Sequence, residues 1–424
     1  MTEPSNPASR ELARALESDD VEALRSTLAR HPELRARLDE PIGPFDSPAI
    51  AGVRSRKMLD ALLEAGADPD ARSRWWAGSF GLLDSADPEL AAYAIERGAT
   101  VTVHAAARLA RIDDLLRLLD GDPSLVAARG GDGQTPLHFA STVEVASILL
   151  ERSAEIDALD VDHESTPAQW MVADRQEVAR FLVERGCRTD LLMAAALGDV
   201  ELARRHLAAD SASIRVRVSG EHFPMIGDRA GGTIYQWTLG FHVSPHDVAR
   251  RFGHDEMLGL LLERSPSDVA LADACWSGDS GRARALLAAE PGLPSRLLEQ
   301  DRRLVAHAAR NDRPDAVSLL LESGWPVDAT GQHQGTPLHW AAFHGNVAMT
   351  ETILRHAPPL EALDADFESS PLGWALHGSE HGWNRCRGDY PGTVEALLHA
   401  GAKPPVQPSG TAEVRELLGR FEGA

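Results

Sequence analysis

The stretch GQTPLHFA at residues 133–140 returns almost unchanged as GTPLHWAA at residues 335–342. Weaker copies begin with STPA at 165–168, SPHD at 244–247 and SPLG at 370–373. In each copy a Thr or Ser can cap a helix, and the proline after it sits in the first turn, where its missing N–H costs nothing. A second apolar helical stretch follows each copy. Because one such helix pair cannot bury its own apolar face, the pattern predicts stacked all-α units.

The pattern Thr-Pro-Leu-His-x-Ala, which starts at Thr135 and at Thr336, resembles the ankyrin-repeat family, whose units are about 33 residues long. The resemblance covers nearly the whole chain through degenerate copies. It implies an all-α solenoid of about twelve helix pairs, with finger turns beside a concave groove and a capping helix at residues 411–421. The expected units start near residues 9, 41, 73, 103, 132, 162, 190, 242, 267, 300, 333 and 367.

The two halves of the chain also resemble each other beyond the repeat motif. Residues 155–167 read EIDALDVDHESTP, and residues 359–371 read PLEALDADFESSP. The shared Asp-x-Asp-x-Glu-Ser turn indicates that the second half is a copy of the first with one added repeat. The alternative is that any two stretches of such repeats align to some degree.

The charge and composition of the chain exclude several classes of function. Its 424 residues hold 42 Lys and Arg against 64 Asp and Glu, a net charge of −22 that disfavours a nucleic-acid partner. The first 20 residues have no apolar core typical of a signal peptide, and no apolar run approaches the length of a membrane span. Three widely spaced cysteines fit a reducing compartment. We therefore expect a cytoplasmic protein without a membrane partner.

Residues 213–243 interrupt the repeat period. IRVRV at 214–218 and TIYQWTLGFHV at 233–243 alternate in polarity, and turn residues separate them, which predicts an inserted β-hairpin. This finger would divide an N-terminal half at 1–212 from a C-terminal half at 244–424. Its odd-numbered aromatic residues, among them Tyr235 and Trp237, would share a face over the groove. Alternatively, the hairpin covers apolar surface between the halves.

A second interruption at residues 377–391 contains three glycines and is predicted to be a loop. It holds His377, His381, Cys386 and Asp389, but their spacing matches no strong zinc pattern. The chain also lacks a phosphate-binding Gly-rich loop, a Gly-x-Ser-x-Gly elbow and a His-Glu-x-x-His helix. The sequence therefore predicts no metal site and no cofactor, and no catalytic residue is assigned.

Candidate binding residues fall in the two interruptions and in the two acidic turns. Aromatic residues outside a core commonly anchor interfaces, and clustered carboxylates can recognise a cationic group, although an acidic turn can equally be simply solvated. The candidates are Tyr235, Trp237, His242, Trp383, Asp162, Glu164, Asp366 and Glu368.

The sequence thus favours a scaffold that binds a protein, or a basic peptide, through the concave groove and the finger loops. The alternative is an enzyme or a small-molecule-binding protein, with a pocket between the groove and the inserted segments. Its weak candidates for acid–base catalysis are Glu164, Asp366, His163 and His344. Phe367 stands where the first acidic turn has His163, so a twofold catalytic arrangement is not expected.

Overall fold

A computed structural model describes residues 7–405 and 407–422, and within these ranges every regular element is a helix. The first thirteen α-helices are α1 Pro7–Glu17, α2 Val21–Arg30, α3 Arg56–Ala65, α4 Pro88–Glu96, α5 Val103–Arg108, α6 Ile112–Gly121, α7 Pro136–Phe139, α8 Val143–Glu151, α9 Pro167–Met171, α10 Gln176–Glu184, α11 Leu191–Leu197, α12 Val200–Ala209 and α13 Tyr235–Thr238. The others are α14 Pro245–Phe252, α15 Asp255–Arg264, α16 Ser267–Ser277, α17 Ser280–Ala289, α18 Glu299–Arg302, α19 Leu304–Arg310, α20 Pro314–Glu322, α21 Pro337–His344, α22 Val347–Leu354, α23 Pro371–His381, α24 Tyr390–His399 and α25 Ala412–Glu422.

Short 3₁₀ helices connect many of these α-helices. They are Pro32–Arg37, Pro44–Asp46, Ala49–Gly52, Leu82–Asp84, Pro123–Ala127, Gly131–Gly133, Ser211–Arg215, Leu293–Arg296 and Gln332–Gln334. Among the described residues no helix has the length and apolarity that crossing a membrane requires.

The chain divides into two compact units, which we call unit 1 and unit 2. Unit 1 contains the described residues up to Asp199 together with Arg217–Gly240. Unit 2 contains Val200–Val216 and the described residues from Phe241 onward. The domain boundaries at residues 212 and 243 stay a prediction from the sequence.

Among the described residues, the pairs of successive α-helices with the most extensive packing include α1–α2, α5–α6, α9–α10, α14–α15, α16–α17, α19–α20, α21–α22 and α23–α24. The described helices do not support the predicted count of about twelve helix pairs. In the stretches near residues 41 and 73, only 3₁₀ helices precede the single α-helices α3 and α4. Prolines and glycines between Pro41 and Gly52 explain the first case, because they oppose a continuous α-helix.

The repeat motif works locally as its sequence indicates. In α7, His138 Nδ1 accepts a hydrogen bond from the Thr135 backbone N–H at 3.1 Å, so its Nε2–H donates to the Ser165 carbonyl at 3.1 Å. Burial lowers the pKa of His138 to about 3, which keeps the ring neutral. The motif leucines Leu137 and Leu338 are both fully buried, which confirms the predicted register.

The predicted β-hairpin at residues 213–243 is wrong. This segment contains no strand, and the residues expected to form its second strand include helix α13. Tyr235 is buried and Trp237 is 65% exposed, whereas a strand would place both on one face. Helical bonds satisfy the backbone locally, as in Leu239 N–H to the Tyr235 carbonyl at 2.8 Å. A lone two-stranded hairpin would be only marginally stable.

The predicted loop at residues 377–391 is also partly wrong, because α23 continues through Gly378 to His381. A Cβ at Gly378 would lie 2.5 Å from the Phe343 carbonyl oxygen. The glycine therefore permits close packing between α21 and α23, and this packing outweighs the low helix propensity of glycine.

Candidate functional site

The first acidic turn, residues 160–165 of unit 1, is organised by one buried carboxylate. Asp160 accepts hydrogen bonds from the backbone N–H groups of His163 and Ser165, and from Trp170 Nε1 at 2.9 Å. Burial raises the pKa of Asp160 despite these donors. Glu164 adopts a left-handed conformation with φ of 44°. Asp160 thus stabilises the turn that carries Asp162, His163 and Glu164.

Unit 1's inserted segment, residues 217–240, is bonded directly to this turn. The Glu164 carboxylate accepts from the backbone N–H groups of Ile226 and Gly227, each at 2.7 Å. Asp162 Oδ1 accepts from the Gly231 N–H at 3.0 Å, and the same N–H also contacts the Asp162 carbonyl. Both acidic side chains therefore bind the backbone of the inserted segment through hydrogen bonds.

Beneath the inserted segment, Asp132, Asp162 and His163 converge. All three residues are less than a tenth exposed, and one possible ligand atom from each lies within 4.8 Å of the others. Asp132 reaches this place from the 3₁₀ turn before α7, where its φ is 51°. Burial, opposed in part by the nearby His163, raises the pKa of Asp132 to about 6. Trp75 Nε1 donates to Asp132 Oδ1 at 3.1 Å.

The aromatic candidates of the inserted segment have different environments. Tyr235 is buried, and its hydroxyl donates to Asp190 Oδ2 at 2.9 Å. Burial and that carboxylate raise the pKa of Tyr235 well above its usual value. Trp237 is exposed, so α13 anchors the segment through one aromatic residue and presents the other to solvent. The binding roles of both residues stay predictions.

The second acidic turn, residues 364–369 of unit 2, repeats the backbone arrangement of the first. Asp364 accepts from the N–H groups of Phe367 and Ser369 and from Trp374 Nε1 at 2.8 Å. These donors outweigh desolvation, so the pKa of Asp364 is lowered. Asp366 pairs with His333 Nδ1. Phe367 is 66% exposed, and Asp366 and Glu368 are exposed beside it.

An aromatic cluster lies next to this second turn. The rings of Trp340 and Trp374 meet edge to face at 4.9 Å, and Trp340 stacks on Trp383 at 6.0 Å. His333 bridges the turn and the cluster, with its centroid 5.6 Å from Phe367 and 6.3 Å from Trp374. Trp340 and Trp374 are buried, whereas Trp383 is 61% exposed. Trp383 and Phe367 are therefore the solvent-facing members of a packed group.

Arg310 carries a buried positive charge at this cluster. Its guanidinium lies 3.7 Å from the centroid of Phe241 and 5.4 Å from that of Trp383. Nε donates to Gln332 Oε1 at 2.7 Å, and within the described residues no carboxylate forms an ion pair with Arg310. Burial lowers the pKa of Arg310 to about 10. The aromatic faces stabilise this cation in place of a carboxylate.

His344 and His242 have packing contacts in unit 2. His344 Nε2–H donates to the Arg310 carbonyl at 2.9 Å, so Nδ1 accepts from Asn384 Nδ2 at 3.2 Å. Burial lowers the pKa of His344. His242 stacks on His307 with ring centroids 3.4 Å apart. Both ring nitrogens of His344 are therefore occupied by structural hydrogen bonds.

The structure brings together some of the candidate residues and separates others between units. In unit 1, Asp162, His163 and Glu164 meet the inserted segment. In unit 2, the candidates are Asp366, Glu368, Trp383, His242 and His344. Sequence reasoning missed Asp132 and Arg310. For Asp132 a signal was available, since it stands three residues before the motif threonine, where the second copy has His333.

Comparisons with known proteins agree with the repeat motif. The family model described as ankyrin repeats (many copies) matches residues 305–354, and the model described as ankyrin repeat matches residues 132–161. The chain is 37% identical over 98 residues to E3 ubiquitin-protein ligase XB3 of Oryza sativa subsp. japonica, covering 23% of this chain and 22% of the relative.

Two further relatives match longer stretches. Probable E3 ubiquitin-protein ligase XBOS31 of Oryza sativa subsp. japonica is 31% identical over 146 residues, 34% of this chain and 30% of the relative. Palmitoyltransferase Hip14 of Drosophila melanogaster is 27% identical over 153 residues, 34% of this chain and 22% of the relative. The chain thus spans less than a third of each of these three relatives. The chain contains ankyrin repeats at residues 132–161 and 305–354, and such repeats are a scaffold of the kind through which proteins bind one another.

Proposed function

We propose that this chain binds a protein or peptide partner through an aromatic surface of unit 2, formed by Phe367 and Trp383 with the carboxylates of Asp366 and Glu368. The observation that carries the proposal is that two large aromatic side chains are about two-thirds exposed while resting on a packed aromatic cluster. Rigidly supported aromatic residues are the usual anchors of protein interfaces, because they bury much apolar area at little cost in entropy.

The chemistry of the surface favours a partner with basic residues next to an apolar anchor. Asp366 and Glu368 are exposed on either side of Phe367, and the whole chain carries a net charge of −22. Such a charge speeds encounter with a basic segment, and rising salt weakens the attraction. We place this encounter in the cytoplasm, in keeping with three free cysteines.

Peptide display on the immobilised full chain tests the proposal. Basic–aromatic peptides selected in this way are titrated by calorimetry against wild type and against Trp383→Ala and Phe367→Ala. Each substitution removes an exposed anchor, so we expect affinity to fall about 10-fold or more while the melting temperature changes little. For Asp366→Asn combined with Glu368→Gln we expect a weaker salt dependence of binding.

Trp237→Ala is the matched control, because Trp237 is as exposed as Trp383 but lies in unit 1. Selected peptides that bind Trp383→Ala and Phe367→Ala as tightly as wild type, or that lose affinity only with Trp237→Ala, would contradict the assignment of the surface. The alternative of an enzyme or a small-molecule pocket between the groove and the inserted segments stays a prediction, and we do not propose it.

A further inference from the structure

Three acceptor groups in unit 1 face one another beneath the inserted segment. Asp132, Asp162 and His163 are 9%, 6% and 8% exposed, and each offers a ligand atom within 4.8 Å of the other two. They come from two separate turns, before α7 and before α9, so the local sequence does not force them together. Burying two carboxylates at this separation without a cation between them is unfavourable.

The orientation of His163 is the second observation. Its Nδ1 lies 2.7 Å from the Gly232 carbonyl oxygen, and because a carbonyl only accepts, Nδ1 must carry the proton. In the neutral ring Nε2 then presents its lone pair, and this atom lies 3.9 Å from Asp162 Oδ2, too far for a hydrogen bond. A backbone carbonyl that holds Nδ1–H in this way is the usual means of aiming a histidine at a metal ion.

The carboxylates are held in a corresponding way. Asp132 Oδ1 accepts from Trp75 Nε1, and Asp162 Oδ1 accepts from the Gly231 N–H. In the described part of the chain, the other oxygen of each carboxylate has no hydrogen-bond donor. Each of the three side chains is therefore fixed by one outer bond and keeps one acceptor for the shared space.

We propose that Asp132, Asp162 and His163 bind a divalent first-row transition cation of the zinc or cobalt kind. One imidazole nitrogen with two carboxylate oxygens suits such an ion better than Ca²⁺ or Mg²⁺, which prefer oxygen ligands alone. Three protein ligands leave at least one coordination position for water. This binding site is independent of the aromatic surface of unit 2.

The corresponding place in unit 2 does not carry the ligand set. His333 stands at the position of Asp132 and Phe367 at that of His163, and His333 pairs directly with Asp366. The shared turn therefore does not create the site by itself. Phe367 also shows that the turn accepts an aromatic hydrocarbon there, which makes His163→Phe a suitable variant.

Metal binding would fasten the inserted segment to the first acidic turn. The backbones of Gly231 and Gly232 hold two of the ligands, and a Cβ at Gly231 would lie 3.1 Å from Asp162 Oδ1. Arg229 in the same segment is exposed, with its guanidinium 4.4 Å from the centroid of Trp76. Tryptic cleavage after Arg229 therefore reports on how firmly the segment is held.

The test uses the full chain, stripped with a chelator and titrated with Co²⁺ and Zn²⁺, with Mg²⁺ for comparison. We expect one Co²⁺ per chain with a visible absorption band, Zn²⁺ competing for it, a higher melting temperature and slower cleavage after Arg229. His163→Phe and Asp132→Asn should each weaken Co²⁺ binding more than about 100-fold. This exceeds the loss of affinity expected when only a residue that hydrogen-bonds to a metal ligand is removed. His377→Ala with His381→Ala is the matched control and should bind Co²⁺ normally.

The proposal is overturned if the wild-type chain takes up no Co²⁺, or if His163→Phe and Asp132→Asn bind it unchanged. Circular dichroism without metal checks folding, and His163→Gln replaces the phenylalanine variant if that variant unfolds. Nitrogen NMR gives an independent answer. On addition of Zn²⁺ we expect the Nε2 resonance of His163 to shift, and a spectrum that Zn²⁺ leaves unchanged would contradict the site.

Discussion

The two acidic turns have nearly the same backbone and different surroundings. Asp160 and Asp364 each accept from two backbone N–H groups and one tryptophan Nε1. In unit 1 the inserted segment covers the turn, and Asp162 and His163 are buried. In unit 2 the corresponding residues are exposed, and Phe367 projects beside the aromatic cluster.

The difference shows how one repeat turn supports two kinds of surface. The aspartate at the start of each turn and the motif histidine fix the backbone in both units. The rest differs because Asp132 and His163 correspond to His333 and Phe367, and because the inserted segment covers the turn of unit 1. A buried group of metal ligands in unit 1 thus corresponds to an exposed aromatic anchor in unit 2.

The largest expected effect tests whether the two motifs are energetically equivalent. Leu137 and Leu338 are both fully buried, so replacing either with alanine should lower the free energy of unfolding by about 2–5 kcal/mol. Urea unfolding followed by circular dichroism measures the change. Leu363→Ala, at a side chain that is 62% exposed, is the control and should stay within about 0.5 kcal/mol. A loss of unfolding free energy in only one of the two leucine variants would show that the two motifs are not energetically equivalent.

A smaller effect concerns acid sensitivity. The pKa of His138 falls to about 3 in the folded chain, and burial also lowers that of His339. Below about pH 6.5 the unfolded chain therefore binds more protons than the folded chain. The stabilisation from each neutral ring is lost as the pH falls toward the pKa of the folded state. For each ring, the free energy of unfolding falls by at most about 1.4 kcal/mol per pH unit. In urea unfolding between pH 7 and pH 4, the free energy of unfolding should depend less steeply on pH in His138→Gln than in His339→Gln. An equal pH dependence in the two variants would contradict this expectation.

The smallest effect comes from copying the metal ligands into unit 2. His333→Asp combined with Phe367→His places the three ligand types at the second turn, where the side chain at position 367 is 66% exposed and, within the described residues, is not covered as His163 is. We expect a second Co²⁺ site about 10–100-fold weaker than that of unit 1, because outer contacts contribute about this much to affinity. Cobalt titration of the double variant measures it, and two sites of equal affinity would show that the inserted segment is unimportant.

The repeat, its helix caps and its core leucines could all be predicted from short stretches of sequence. These features depend on partners within a few residues, such as Thr135 with His138, so their chemistry is visible in a short stretch. The final helix was predicted for the same reason and is observed at Ala412–Glu422.

The environments of the inserted segment and of the metal ligands depend on contacts between residues that are distant in the sequence. The Tyr235 hydroxyl bonds to Asp190, 45 residues away, and His163 bonds to Gly232, 69 residues away. Alternating polarity in residues 233–243 predicted a strand, but burial of Tyr235 between distant elements favoured a helical turn. Asp132 and His163 carry no shared motif, because their meeting depends on how two turns pack beneath a third segment.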